Sequence, residues 1–138
     1  MILSSKEIKR RIENDLVIEP FGEESLQPAS YDLRAGVDVT ILPKTLKLMS
    51  SLEYVELPHD VAGVLRTRSS YARKGLVLGG GFIDPGFRGN LTLCLSNMSE
   101  KEIELKKGER IVQMLLLQVK APSEAYNGQY QDSRGAVR

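Results

Sequence analysis

Between Arg66 and Arg88 the chain gathers five cations, Arg66, Arg68, Arg73, Lys74 and Arg88, against one acid, Asp84. The same window holds Ser69-Ser70 ahead of a short helical pattern, and three consecutive glycines, Gly79 to Gly81. Guanidinium forks, hydroxyls and backbone N–H groups are the donors that grip phosphate oxygens. A site for a small polyphosphate and a solvated, charged loop both account for this pattern. The P-loop pattern G-x-x-x-x-G-K-[ST] is absent, so that route to phosphate binding is unsupported. Asp84 precedes Pro85-Gly86, which makes a turn and holds the Asp84 backbone extended. A carboxylate held there can take a proton from an attacking water; it can equally brace the turn or pair with Arg88.

The remaining nucleophiles are few. Cys94 is the only cysteine and His59 the only histidine, which excludes an internal disulfide and any zinc site built on several Cys or His. Leu91, Leu93 and Leu95 alternate with Thr92, Cys94 and Ser96, so Cys94 shares a strand face with two hydroxyls and has no cation beside it in sequence. That setting suits a small inert side chain rather than a nucleophile. His59, in Leu57-Pro58-His59-Asp60, reads as a surface turn.

These groups need a scaffold, and the patterning predicts a mainly β one. Ser4-Ser5-Lys6-Glu7 offers a capping box, with Ile8 and Ile12 at i, i+4, predicting a helix over 4–13. Leu33, Ala35, Val37 and Val39 alternate with polar residues and predict one strand. Further strands are expected at 54–57, 62–68, 90–97, 102–105 and 111–119, with Gly, Pro and Asn between them, and a second short helix after Ser69-Ser70 ending at Gly75. Many short strands with intervening turns predict a sandwich or barrel. The segment 123–138 is poor in apolar residues and reads as a mobile tail.

Composition sets the outer bounds. The 138 residues make one domain's worth of chain, and 41% hydrophobic with 27% charged residues is globular usage. Nineteen basic against eighteen acidic residues leave a net charge of +1, which excludes a protein that coats nucleic acid through bulk charge. No apolar run is long enough for a membrane span and the start is not a secretory signal, so the expectation is a soluble, cytoplasmic protein without nucleic-acid or membrane partners.

Five ordered segments resemble the dCTP deaminase and dUTPase superfamily: Leu26-Gln27-Pro28-Ala29-Ser30-Tyr31-Asp32-Leu33-Arg34, Arg68-Ser69-Ser70-Tyr71-Ala72-Arg73, Gly81-Phe82-Ile83-Asp84-Pro85-Gly86-Phe87-Arg88-Gly89, Gly108-Glu109-Arg110-Ile111-Val112-Gln113-Met114, and the tail Gly128-Gln129-Tyr130-Gln131 with Arg134-Gly135-Ala136-Val137. The resemblance covers nearly the whole chain. It implies a distorted β-barrel of the dUTPase-like β-clip type, a single domain over 1–138, assembled as a homotrimer with active sites between subunits. It also implies Mg²⁺ carried on the substrate triphosphate, with Asp32 within reach of the metal through water. By motif match, Arg68, Ser69, Ser70, Arg73 and Gln113 hold phosphates. Gly81, Ile83 and Phe87 belong to the nucleoside hairpin, with Phe87 on the deoxyribose, and the tail from Tyr126, including Tyr130, folds over the triphosphate.

The deaminases carry a Glu in a strand of the form Ile-Thr-Leu-Glu-Leu-Ser-Asn; here Cys94 stands at that position and would line the base pocket. A thiol of pKa about 8.5 is a poor substitute for that acid–base group. Asp84 matches the dUTPase Asp that activates water against the α-phosphorus. The sequence therefore predicts a dUTP diphosphatase forming dUMP and pyrophosphate. A dCTP deaminase, with or without dUTP cleavage, a non-catalytic deoxynucleotide sensor and a plain β interaction module are the alternatives.

Overall fold

The computed structural model describes residues 1–122 and 124–138. Helix α1 (Ser5–Ile12) begins where the capping box places it: the Ser4 hydroxyl accepts from the Glu7 N–H at 3.2 Å. The Glu7 carboxylate turns to Arg10 instead of closing the box. α1 buries Ile8 and, less expectedly, Arg11, whose guanidinium pairs with Asp15 and Asp60.

The strands are β1 (Val17–Glu19), β2 (Leu26–Gln27), β3 (Ser30–Arg34), β4 (Val39–Ile41), β5 (Leu46–Glu56), β6 (Val61–Thr67), β7 (Leu76–Leu78), β8 (Phe82–Ile83), β9 (Arg88–Asn97), β10 (Ile103–Leu105) and β11 (Arg110–Gln118), with a short helix α2 (Ser69–Ala72) after β6. They form a four-stranded sheet in the order β1-β5-β9-β7, a five-stranded sheet β2-β3-β11-β6-β8 and a small β10-β4 pair. One aliphatic cluster, including Leu33, Leu93, Leu95, Ile111 and Met114, joins the two larger sheets. The fold is mainly β with two short helices.

Two strand expectations need correction. The alternating run 33–39 is not one strand: β3 ends at Arg34 and the chain bends before β4. Gly36 makes the bend possible by lying against β5, where a Cβ would come within 2.6 Å of the Ser50 carbonyl oxygen. Nor does β3 alternate in and out, since Ser30, Tyr31, Asp32 and Leu33 are all buried. β5 starts eight residues before the expected Tyr54. Its inward residues include Ser51 and Glu53, which interrupt the hydrophobic period. Both are satisfied: the Ser51 hydroxyl donates to the Glu53 carbonyl and accepts from Leu91 N–H, while the Glu53 carboxylate accepts from Tyr31 and Arg34. Cys94 sits as the alternation predicted, half-buried on β9 between buried Leu93 and Leu95.

Of the tail, Ser123 lies outside the described residues. Beyond it the segment is tied to its own chain by polar contacts that compensate for its lack of apolar surface. Tyr126 N–H donates to the Pro85 carbonyl, and the Gln131 amide donates to that of Gly86. Asp132 pairs with Arg88 at 2.8 Å, and Val137 N–H donates to the Thr92 hydroxyl at 2.8 Å.

Candidate active site

The sequence-derived site residues fall into two groups. The first surrounds a cavity of about 540 Å³ whose lining includes Asp32, Arg66, Arg68, Ser69 and Gln113. Register explains their meeting. On the five-stranded sheet, Gln113 of β11 stands opposite Asp32 of β3 on one side and Arg66 of β6 on the other. Directly opposed residues in an antiparallel ladder share a face, so the three side chains form a row across three strands. The Gln113 amide donates to the Ser30 hydroxyl at 3.2 Å.

Asp32 is 3% exposed, and its carboxylate lies 3.3 Å from Arg68 Nε and 3.6 Å from Arg110 Nη1. Burial pushes the Asp32 carboxyl up from its ordinary value; the Arg68 and Arg110 charges oppose that shift. Arg110 gets there through a break in register between Arg110 and Val112, a bulge that re-aims its side chain. Arg68 Nη1 also donates to the Arg110 carbonyl at 3.0 Å, which ties the end of β6 to the start of β11. Among the described residues, Nη2 of Arg68 makes no hydrogen bond to protein.

Ser70 and Arg73 are exposed on and just after α2 and do not line this cavity. Arg66, one of the five clustered cations, lines the cavity although the motif match gave it no phosphate role. Arg110 does not line the cavity but reaches Asp32, and sequence reasoning missed it as a site residue; its position follows from the register of β11, which a single sequence does not display.

The second group lies on the four-stranded sheet and the hairpin leading into it. Cys94, Phe87 and Tyr130 line a mostly apolar cavity of about 420 Å³ with Leu48, Thr92 and Val137. No Asp or Glu side chain among the described residues lines it. Phe87 is buried and meets the Tyr126 ring edge-on at a centroid distance of 5.6 Å. Gly81 has φ +120°, and a Cβ there would sit 2.8 Å from the Leu65 Cβ; Ile83 is buried against Gly63. Both set the path of the hairpin. Asp84 is exposed at its turn, and Arg88 pairs with Asp132 rather than with Asp84. His59 is exposed.

One chain does not join the two groups. Ile83 pairs with Gly63 near the start of β6, while Arg68 follows the end of that strand at Thr67, five positions on and roughly 16 Å away at the usual strand rise. The Asp84 turn and Arg68 thus lie toward opposite ends of β6.

Among the described residues no cluster of three or more His, Cys, Asp or Glu could hold a metal ion. The Asp32 carboxylate already faces two guanidiniums, which disfavour a third cation beside it. No helix among the described residues is long and apolar enough to cross a membrane.

This architecture is the dUTPase fold. A variant of the dUTPase of Staphylococcus bacteriophage 80alpha superposes with a TM-score of 0.66 at 21% identity, over 86% of this chain and 99% of that one. A variant of the phage phi11 dUTPase of S. aureus, whose structure details coordination of a structural Mg(II) ion, gives 0.65 at 19% identity over 84% and 98%. Within that fold the chain belongs to the dCTP deaminase-like family, whose profile matches residues 2–47 and 36–119. It is 45% identical over 140 residues to the dCTP deaminase of Thermococcus kodakarensis, covering 90% of each chain. It is 36% identical over 176 residues to the dUMP-forming dCTP deaminase of Streptomyces coelicolor, covering 98% and 92%. It is an enzyme of a family acting on deoxynucleotides. The names of these relatives favour deamination over the diphosphatase activity expected from the sequence.

Proposed function

We propose that the chain acts on pyrimidine deoxynucleoside triphosphates and that hydrolysis of dUTP to dUMP and pyrophosphate is its reaction. The observation that carries this reading is the cavity around Cys94: where deamination needs a carboxylate to shuttle protons at the base, the described lining offers a thiol, hydroxyls, the Asn90 amide, the Arg138 guanidinium and apolar groups, but no Asp or Glu side chain. Asp84, exposed at a fixed turn, keeps the carboxylate that phosphoryl chemistry needs.

In this reading Arg68, Ser69 and Gln113 hold the β- and γ-phosphates, with Ser70 and Arg73 reached only as the site closes. Asp84 orients a water in line with the α-phosphorus and takes its proton, so the pyrophosphate leaves from the opposite side. Mg²⁺ carried by the triphosphate offsets its negative charge. Phe87 and the Cys94 cavity receive the nucleoside, and the tail around Tyr130 shields it. Because the Asp84 turn and the Arg68 cavity lie at opposite ends of β6, the substrate is held between copies of the chain, as a closed homotrimer would arrange.

The Asp84→Asn variant tests the assignment. It is expected to lose pyrophosphate release from dUTP by at least about a thousandfold. It should bind α,β-imido-dUTP as tightly as the parent. An active variant removes Asp84 from the mechanism.

Deamination of dCTP is the second reading, favoured by the relatives at 36–45% identity. It requires a proton carrier other than the residue at position 94, and its signature is ammonia released from dCTP.

A further inference from the structure

A buried carboxylate beside a pocket for polyphosphate is at first sight misplaced, because its charge repels the ligand. Asp32 nevertheless lines the cavity, with 3% of its surface exposed and no hydroxyl or amide bonded to it among the described residues. Its partners are the two guanidiniums, at 3.3 and 3.6 Å.

We propose that Asp32 is a positioning residue: it clamps the Nε edge of Arg68 and the Nη1 arm of Arg110, so that Arg68 presents Nη2 to the phosphates. The inference rests on the reading of this cavity as the phosphate site.

Three features of the cavity support it. Each guanidinium has a second anchor that leaves little freedom: Arg68 Nη1 donates to the Arg110 carbonyl at 3.0 Å, and Arg110 Nη1 donates to the Glu24 carbonyl at 2.6 Å. The register of β11 against β3 shifts between Arg110 and Val112; in a regular ladder Arg110 would share the face of Val112, opposite that of Gln113 and Asp32. The charges of the trio sum to +1, so the cavity stays attractive to an anion while its donors are held in place. Arg is suited to this because its planar fork can face a carboxylate on one edge and a phosphate on another, which an ammonium cannot do. Burial, which pushes the Asp32 carboxyl up, is opposed by the same two guanidiniums that it holds.

Electrostatics alone and positioning predict opposite signs. If only net charge matters, Asp32→Asn removes a repulsive charge and tightens anion binding. If Asp32 positions Arg68, the same variant weakens it. The measurement is the affinity of the full chain for tripolyphosphate, the part common to dUTP and dCTP, by calorimetry in metal-free buffer, where no contact from Asp32 to a metal contributes. The proteins are the parent, Asp32→Asn, Arg68→Ala and the double variant.

Positioning predicts roughly a tenfold loss for each single variant and no further loss in the double, because the two residues act as one unit. Unchanged or tighter binding by Asp32→Asn, or losses that multiply in the double variant, overturns the inference. If Asp32→Asn does not fold, Arg68→Lys carries the test: the charge is kept and the fork is lost, so affinity should fall about as far as in Arg68→Ala. A Lys variant with parental affinity overturns the inference. Failure of the parent itself to bind tripolyphosphate overturns the phosphate reading of the cavity, and the inference with it. That result is distinct from multiplicative losses, which overturn the role of Asp32 alone.

Discussion

The cavity around Arg68 and the face around Cys94 are built differently. The first is held within one chain by strand register, a bulge and a buried ion-paired carboxylate. The second is assembled from a turn, one strand face and a C-terminal segment that reaches it through polar contacts. A preorganised donor set suits recognition of phosphates, whose shape is constant among substrates. A site completed by a separate C-terminal segment suits the end where water must be aligned and then excluded. On the proposed reading, the contrast places phosphate binding and chemistry at different ends of β6, so that they need not sit on the same copy of a chain.

The sharpest way to break that comparison is complementation. Asp84→Asn chains, expected to be inactive, and Arg68→Ala chains, assayed at low dUTP where their weakened phosphate affinity leaves little turnover, are unfolded, mixed equally and refolded together. If each site takes Asp84 from one copy and Arg68 from another, roughly a quarter of the parental pyrophosphate release returns, as random assortment in a closed oligomer requires. Recovery of nothing, with both variants folded, places the whole site within one chain.

A smaller effect tests what the scaffold contributes. Arg11, with 8% of its side chain exposed, joins α1 to Asp60 at the turn into β6. Its hydrogen bonds hold the Asp60 carboxyl below the usual aspartate value. A lowered folded-state value stabilises the protein above the unfolded value, and the gain is lost as pH falls through the folded one. Arg11→Ala is expected to cost about 2–3 kcal/mol in urea unfolding at pH 7. The gap should narrow below pH 4 as Asp60 protonates. A gap independent of pH would show that packing of the Arg11 stem, and not the ion pair, carries the stability.

Local signals made much of this molecule legible in sequence. The Ser4 cap, the Leu91-Leu93-Leu95 alternation and a short helix at Ser69-Ser70 follow from neighbours a few residues apart, and the structure has all three, the helix spanning Ser69–Ala72 rather than running from after Ser70 to Gly75. What did not show was non-local. β5 was hidden because Ser51 and Glu53 face inward and are satisfied by distant partners, Leu91, Tyr31 and Arg34. The row of Arg66, Gln113 and Asp32, and the approach of Arg110 to Asp32, follow from the register of β11, and the separation of Asp84 from Arg68 follows from which end of β6 meets β8. The motif residues themselves were readable; their division between two ends of a strand was not.

The central claim is that this member of a deaminase-like family cleaves the α,β-phosphate bond. Its most direct test is to incubate the full chain with Mg²⁺ and either dUTP or dCTP, measuring pyrophosphate and ammonia separately. The account predicts pyrophosphate from dUTP and no ammonia from dCTP. Ammonia from dCTP with intact dUTP as its product would contradict it.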